Sequence, residues 1–500
     1  MILDDDSRYR AVASRDPRFD GWFFVGVTST SIFCRPSCPA TTPRRANVRF
    51  FPSAAAALGA GFRACRRCRP DTAPGSPAWN VRGDLAARAV ALIEDGTVDR
   101  EGVGGVARRL AVSERHLHRI LVAELGAAPL ALARSRRAHT ARLLIETTSL
   151  PFTDVAFAAG FSSIRQFNDT IREVFGANPS TLRRDRASTS RGRGGPSPAA
   201  AAPTPSPAPA PLALRLAART PFAGVPLLSF LGERAVRGVE SFDLDGTYRR
   251  VLDLPRGPAL VALRARSDHV AAELHLTDLR DLGPAVARCR RVLDLDADPV
   301  AIDEALALDP ALAPLVASVP GRRSPGATDG LELLVRAIVG QQVSVAGART
   351  VAGHLAHQLG APLPPPLTLG APGLLSHAFP TADAIAGADL ASLPMPRARA
   401  AALVAAAAAV ASGRLPLDPG ADRAEVERLL LEIRGIGPWT ASYVAMRALG
   451  DPDVFLPTDL GVQRGLAAVG LDPSPAGASA AAGAWRPWRS YALHHLWGAA

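Results

Sequence analysis

Four of the five cysteines in this 500-residue chain fall within its first 70 residues as two short-spaced pairs: Cys34 and Cys38 with three residues between them, Cys65 and Cys68 with two. Two thiol pairs of this spacing can converge tetrahedrally on one zinc ion, and in a reducing cytosol that is favoured over two disulfides. A second candidate lies far downstream. Leu431-Glu432-Ile433-Arg434-Gly435-Ile436-Gly437-Pro438-Trp439-Thr440-Ala441 reads as a helix, a glycine hairpin and a new helix start, whose backbone amides can approach a phosphate closely. Asp459, 20 residues past Trp439, follows Phe455-Leu456-Pro457-Thr458 and sets a carboxylate beside an apolar turn. One chemistry is excluded outright: the chain has no lysine, so all 57 of its Lys+Arg are arginine and no lysine Schiff base can form.

These groups need elements to hold them, and 500 residues exceed one ordinary core. The stretch 187–211, rich in Pro, Ala, Ser and Gly, cannot bury a core and reads as a disordered linker. Weaker breaks stand at 70–80 and 320–326. The net charge of +11 is unevenly placed: residues 1–211 hold 30 arginines against 18 acidic residues, whereas 212–500 hold 27 against 28. Electrostatic DNA binding therefore belongs to the first part. The acidic start MILDDDSRYR is no signal peptide and no uninterrupted apolar run is long enough to span a bilayer, so a cytoplasmic protein without a membrane span is expected.

Between the first break and the linker, two apolar-periodic helix pairs each turn at a small residue and restart after a serine cap. Val103 to Leu110 leads to Ser113, whose helix carries Arg115, His116, His118 and Arg119; Thr153 to Ala159 turns at Gly160 and restarts at Ser162, presenting Ser163, Arg165, Gln166 and Asn168. Two helix-turn-helix units are the economical reading. His116, His118 and His139 read as helix-face residues rather than metal ligands, since no cysteine or carboxylate set accompanies them. Beyond the linker, alternating stretches at 259–264 and 271–276 predict strands before the chain turns helical from 284, an α+β unit. From about 327 it reads as almost entirely helical.

Ser31-Ile32-Phe33-Cys34-Arg35-Pro36-Ser37-Cys38, followed by Ala60-Gly61-Phe62-Arg63-Ala64-Cys65-Arg66-Arg67-Cys68, resembles the N-terminal domain of Ada-type adaptive-response proteins. That resemblance implies that Cys34 accepts a methyl group from a DNA methylphosphotriester, with Cys38, Cys65 and Cys68 completing one zinc site, and that Arg35, Arg63, Arg66 and Arg67 engage flanking phosphates. Zinc would hold Cys34 as the nucleophilic thiolate. Pro39 and Thr41 stand where the family pattern has arginines. Gly160-Phe161-Ser162-Ser163, Phe167, Phe175-Gly176 and Pro179 resemble the second motif of AraC-type regulators, and Ser113 to Arg119 the first. This implies two recognition helices in successive major grooves, with Arg115, His116, Arg119, Ser163, Arg165 and Gln166 facing DNA.

The C-terminal half resembles the helix-hairpin-helix glycosylase superfamily, and more closely the AlkA-type 3-methyladenine DNA glycosylases. The matching segments are Val339 to Ala346, the hairpin, Val454 to Asp459, and Trp485 to Trp497. The resemblance implies that Asp459 is the catalytic carboxylate, that Trp439, Tyr443 and Trp497 wall the pocket of an extruded base, and that Gly435 and Gly437 grip DNA. Gln342 occupies the wedge position, where a family member of the same pattern has leucine. Trp485 and Trp488 read as core. Carbonyls near Leu431 and Ile433 would hold a monovalent cation. Relatives that also cleave the strand carry lysine at the Trp439 position, and iron-sulfur relatives use four C-terminal cysteines; here none follows Cys289, so a monofunctional glycosylase without an iron-sulfur cluster is expected. No Pro-Cys-His-Arg motif of an alkylguanine methyltransferase occurs.

The expected architecture is multidomain and mainly α with α+β parts: a four-cysteine zinc domain (1–75), an AraC-type double helix-turn-helix (80–186), the linker (187–211), an AlkA N-terminal-like α+β domain (212–325) and an all-α helix-hairpin-helix domain (326–500). Expected partners are damaged and promoter double-stranded DNA and RNA polymerase, with no membrane and a monomeric state. A transcription regulator with an inactive glycosylase half is the rival reading.

Overall fold

The computed structural model describes residues 4–70, 85–184, 211–368 and 375–500. The expected linker lies outside these, apart from its last residue. The described residues form two compact units, one drawn mainly from the chain before the linker and one mainly from the chain after it.

In the first unit, four short strands, β1 (Phe24–Val27), β2 (Ile32–Cys34), β3 (Val48–Phe51) and β4 (Arg63–Ala64), form a sheet in the order β3-β1-β2-β4. β1 pairs antiparallel with β3 and β2, whereas β2 and β4 run parallel with Phe33 opposite Ala64. That register matters, because it lays the end of β2, which is Cys34, beside Cys65 just past β4. A backbone bond from Cys65 N to the Phe33 carbonyl (2.9 Å) fixes it. Gly26 in β1 is glycine for space: a Cβ there would meet Phe51 and Phe62 ring atoms at 2.7 and 2.8 Å.

The helix-turn-helix pairs follow, and each is built to the same plan. The helix Thr97–Arg109 is interrupted at Gly102 (φ 71°), so its second part starts at Val103, as the sequence predicts. The recognition helix Glu114–Leu125 opens on Ser113, whose Oγ accepts from His116 N, and ends on Gly126 at φ 65°. The second pair joins Phe152–Ala158 to Ile164–Phe175, which is capped by Ser163 and closed by Gly176 at φ 62°. Here the structure refines the expectation: Ser163, not Ser162, is the cap, while Ser162 donates from its Oγ to Gln166 Oε1 (3.0 Å). Left-handed glycine closures are the ordinary way for a helix to end without a Cβ penalty. Leu117, Leu121 and Leu125 in one helix, and Phe167, Ile171 and Val174 in the other, bury one stripe and leave the arginine face outward.

The second unit opens with a five-stranded sheet, β5 (Leu212–Ala217), β6 (Glu240–Phe242), β7 (Tyr248–Leu254), β8 (Gly257–Ala265) and β9 (His269–Leu276), in the order β5-β9-β8-β7-β6. The helix Gly224–Glu233 packs on it. Helices follow almost without exception, as expected from the sequence. A buried ion network ties sheet to helices: Arg250 reaches Glu240 (3.1 Å) and Glu332 (2.6 Å), and Arg336 reaches both carboxylates at 2.9 Å. Burial by itself would raise the Glu240 carboxyl, but Arg336 and Arg250 hold it below its usual value. Every charge in the set is paired, which is what makes its burial tolerable. Arg336 and Glu332 lie on the helix Gly330–Val339, so the loop that follows at Gly340 leaves a firmly held base.

Candidate functional site

The sulfurs of Cys34, Cys38, Cys65 and Cys68 all lie within 4.8 Å of one another. A tetrahedral zinc with sulfur ligands at about 2.3 Å needs sulfurs about 3.8 Å apart, so the set fits the ion with little movement. The thiols also titrate against one another: a hydrogen bond with Cys34 lowers the Cys38 thiol to about 7 and a hydrogen bond with Cys38 raises that of Cys34. The loop carrying Cys34 and Cys38 is anchored by Asp20, which sequence reading missed. Its buried carboxylate accepts from Ser37 N (3.0 Å) and Ser37 Oγ (2.6 Å) and pairs with Arg35 (3.4 Å). Only the fold brings Asp20 to this loop, from the turn before β1.

The four arginines expected at phosphates are placed differently from one another. Arg67 is exposed. Arg35 is held by Asp20. Arg66 donates to the carbonyl of Gly176 (2.8 Å), and the Arg63 guanidinium packs over the same glycine. Arg69, one residue past Cys68, pairs with Glu146, whose other oxygen accepts from Arg142 (2.8 Å); the Arg142 guanidinium lies 4.9 Å from the Phe175 ring centroid. The cysteine module thus holds the end of the second recognition helix. It holds the end of the first as well: buried Ser53 donates from its Oγ to the Leu125 carbonyl (2.8 Å), and Ala56 and Pro52 pack against Gly126.

On the first recognition helix, Ser113, Arg115, His116, His118 and Arg119 line one shallow depression of about 690 Å³. Arg119 Nη2 lies 2.8 Å from His116 Nδ1. On the second, Arg165 stands almost fully exposed, 3.9 Å from Asp169, whereas Ser163 and Gln166 are engaged in capping.

In the second unit, Asp459 is the N-cap of the helix Leu460–Ala468, accepting from Val462 N at 3.0 Å. It also does more than cap. Trp439 Nε1 donates to Oδ2 (3.1 Å) and Trp497 Nε1 donates to Oδ1 (2.9 Å), so the carboxylate plane is set between two indoles. Trp439 stacks on Tyr443 with ring centroids 5.1 Å apart and planes 7° apart; Tyr443 faces Trp497 at 6.5 Å. The predicted residues Asp459, Trp439, Tyr443 and Trp497 are therefore together, and all are half-buried.

A fourth ring joins the group. Phe230, on the helix Gly224–Glu233, stacks on Trp497 at 6.0 Å and 16°, and His494 stands edge-on to both Trp497 (4.9 Å) and Phe230 (5.2 Å). Arg447, buried, donates to Tyr443 Oη (3.0 Å) and lies 5.3 Å from the Phe230 centroid, with Arg234 3.8 Å from the same ring. Burial, then Arg447, Arg322 and Arg234, keep the His494 imidazole well below its usual pKa, hence neutral at pH 7. None of these partners has a sequence signal near the hairpin. Trp485 is core, as expected, with its indole bonded to Asp309 (2.6 Å); Trp488 is only half-buried at the edge of that core.

The hairpin joins Arg423–Leu431 to Pro438–Arg447. Gly435 sits at φ 95°, a conformation that favours glycine, and Gly437 caps the second helix with open space where a Cβ would stand. The Ile433 carbonyl accepts from Ile436 N (3.0 Å). Gln342 is exposed at φ 57°. No helix among the described residues is long and apolar enough to cross a membrane.

Family models match three segments: the metal binding domain of Ada at 7–71, a helix-turn-helix domain at 106–185, and the AlkA N-terminal domain at 213–329. The "probable bifunctional transcriptional activator/DNA repair enzyme AlkA" of Mycobacterium tuberculosis is 50% identical over 495 residues, 99% of this chain and 96% of that one. DNA-3-methyladenine glycosylase 2 of Escherichia coli is 36% identical over 278 residues, 54% of this chain and 92% of that one. The bifunctional transcriptional activator/DNA repair enzyme Ada of the same organism is 38% identical over 173 residues, 34% of this chain and 47% of that one.

Proposed function

The chain belongs to the bifunctional transcriptional activator/DNA repair enzymes of the AlkA type, and from that membership and the geometry above we propose how its residues divide the work. It is a DNA alkylation repair and response protein that couples a zinc-thiolate methyl acceptor and a double helix-turn-helix to a 3-methyladenine glycosylase. The domain limits we propose are 1–75, 80–186, 212–325 and 326–500, with 187–211 as linker.

Cys34, Cys38, Cys65 and Cys68 hold one zinc ion, which keeps the sulfurs as thiolates at neutral pH. Cys34 Sγ attacks the methyl carbon of a methylphosphotriester; the S–C bond forms, the C–O bond breaks, and the electron pair leaves on the phosphodiester oxygen. Nothing regenerates Cys34, so the reaction is stoichiometric. Methylation removes one negative charge from the cluster and so strengthens its attraction to the DNA backbone, the signal that the recognition helices carry to a promoter.

In the glycosylase, the stacked rings of Trp439, Tyr443, Trp497 and Phe230 receive the extruded base. A cationic alkylated base is already a good leaving group. Asp459 stabilises the positive charge that develops on the sugar and orients the attacking water. The single observation carrying this reading is the carboxylate of Asp459 held by two indole N–H groups in an aromatic cleft. Gly435 and Gly437 take a backbone phosphate, and a monovalent cation sits at the hairpin carbonyls. We further propose that the protein acts as a cytoplasmic monomer and contacts RNA polymerase when bound at promoters.

The test is release of 3-methyladenine from methylated DNA. The wild type turns over, and Asp459→Asn does not. A wild type that releases no base leaves only the regulator reading. In parallel, intact-mass spectrometry after incubation with methylphosphotriester DNA shows one added methyl on the wild type and none on Cys34→Ser.

A further inference from the structure

The loop Gly340–Ser344 carries Gln342, the residue at the wedge position, and its backbone is unusual. Gln342 stands at φ 57°, in the left-handed region that an L-residue with a full side chain resists. Such a conformation persists only where its surroundings over-determine it. On one side the loop leaves the helix Gly330–Val339, fixed by the Arg336 ion network; on the other it enters the helix Val345–Leu359, whose cap Ser344 accepts from Gly347 N (3.1 Å). Neither explains why the loop holds its position toward the hairpin.

Gln341 does. Its side-chain amide Nε2 donates to the Gly435 carbonyl (3.1 Å) and to Thr440 Oγ1 (2.9 Å). Gly435 is the left-handed glycine of the hairpin turn, and Thr440 is buried one residue after Trp439, whose indole holds Asp459. One amide group therefore joins the wedge loop, the phosphate-facing hairpin and the helix that carries the base pocket. Val343, next to Gln342 on the loop, and Val345, the first residue of the helix that follows, are both exposed and present apolar surface suited to a widened base stack.

We propose that Gln341 is a positioning residue that couples seating of the hairpin on the DNA backbone to insertion of Gln342 into the base stack, so that extrusion of the damaged base, and not cleavage of its glycosidic bond, depends on it. The proposal rests on the glycosylase reading of residues 326–500. Without the Gln341 bonds, the hairpin still grips phosphate and Asp459 keeps its two indoles, but the wedge is free to relax out of its left-handed turn. Because Gln341 acts through Gln342, removing both should do no more damage than removing Gln342 alone.

The experiment uses the full chain and three variants: Gln341→Met, which keeps length and volume but has no donor, Gln342→Ala, and the double variant. Single-turnover 3-methyladenine release from methylated duplex DNA is read beside the fluorescence of a 2-aminopurine placed next to a non-cleavable 3-deaza-3-methyladenine, which reports extrusion. Gln341→Met should lower the release rate about 10-fold and lower the extrusion signal in parallel, while affinity for undamaged duplex stays within about 2-fold and the thermal unfolding profile is unchanged. The double variant should match Gln342→Ala. Release that falls with an unchanged extrusion signal overturns the proposal, as do losses that multiply in the double variant, or a lowered unfolding profile for Gln341→Met with equal loss of affinity for all DNA. A wild type that releases no base fails the glycosylase reading itself, a result distinguishable from all of these.

Discussion

The indole of Trp497 donates to Oδ1 of Asp459 across 2.9 Å while the Asp459 backbone begins a helix, so one carboxylate is at once a cap and the charged centre of an aromatic cleft. Capping and the catalytic role we propose for Asp459 are compatible because Val462 N and Trp497 Nε1 share one oxygen and Trp439 holds the other. If orientation of this carboxylate matters, Trp497→Phe, which keeps the ring but loses the N–H, should reduce base release about 10-fold with little change in KM, whereas Asp459→Asn should abolish it. Single-turnover kinetics on methylated DNA check both.

A lysine-free chain cannot form the ε-amine Schiff base through which bifunctional relatives cleave the strand. The product should be an intact strand with an abasic site, broken only by later alkali. Borohydride added during turnover should trap no lysine-linked adduct, and a trapped species would contradict the assignment.

Ser53 and Arg66 predict a different kind of effect, since both reach from the cysteine module to the carbonyl ends of recognition helices. Ser53→Ala leaves the buried Leu125 carbonyl without its side-chain donor and removes the cap of the helix Ala54–Gly59, so the first unit should lose about 1–2 kcal/mol in urea unfolding. Arg66→Ala should leave stability nearly unchanged but weaken DNase protection at the half-site read by Ile164–Phe175 more than at the other. Equal loss at both half-sites would instead assign Arg66 to plain phosphate binding.

In the second unit, buried histidines and buried carboxyls respond to acid in opposite directions. Burial, then the charge of Arg322, lower the His495 pKa to about 3, against about 6.5 in an unfolded chain. Between those values the unfolded chain takes up a proton that the folded one refuses, so the stability contributed by this one group falls as pH falls below 6.5, by about 2 kcal/mol at pH 5. Asp294 and Asp303, raised by burial to about 7 and about 6, act in the opposite direction and are stabilised by acid. The comparison that isolates the histidine is therefore wild type against His495→Leu. Urea midpoints at pH 7 and pH 5 should show the wild type losing about 2 kcal/mol more than the variant over that interval.

Much of the chemistry is readable in the chain itself. Four cysteines at metal spacing, a glycine hairpin, an aspartate 20 residues beyond its tryptophan and the absence of lysine are local facts, and each restricts the reaction wherever the chain folds. The helix-turn-helix pairs are legible for the same reason: serine caps, glycine closures and apolar stripes act within one or two turns of backbone.

Contacts between distant segments come instead from the packing of the folded chain. Parallel pairing of β2 with β4 brings Cys34 to Cys65, Ser53 and Arg66 meet the ends of both recognition helices, and Phe230 arrives from the sheet domain to stack on Trp497. The Gln341 bridge to Gly435 and Thr440 belongs to the same class. Such partners carry no mark in their own neighbourhood, because an aromatic ring or an amide in a helix or loop reads alike whether it meets core, solvent or a catalytic carboxylate. Packing of whole elements chooses among those, and it does so through surfaces that no short window of sequence contains.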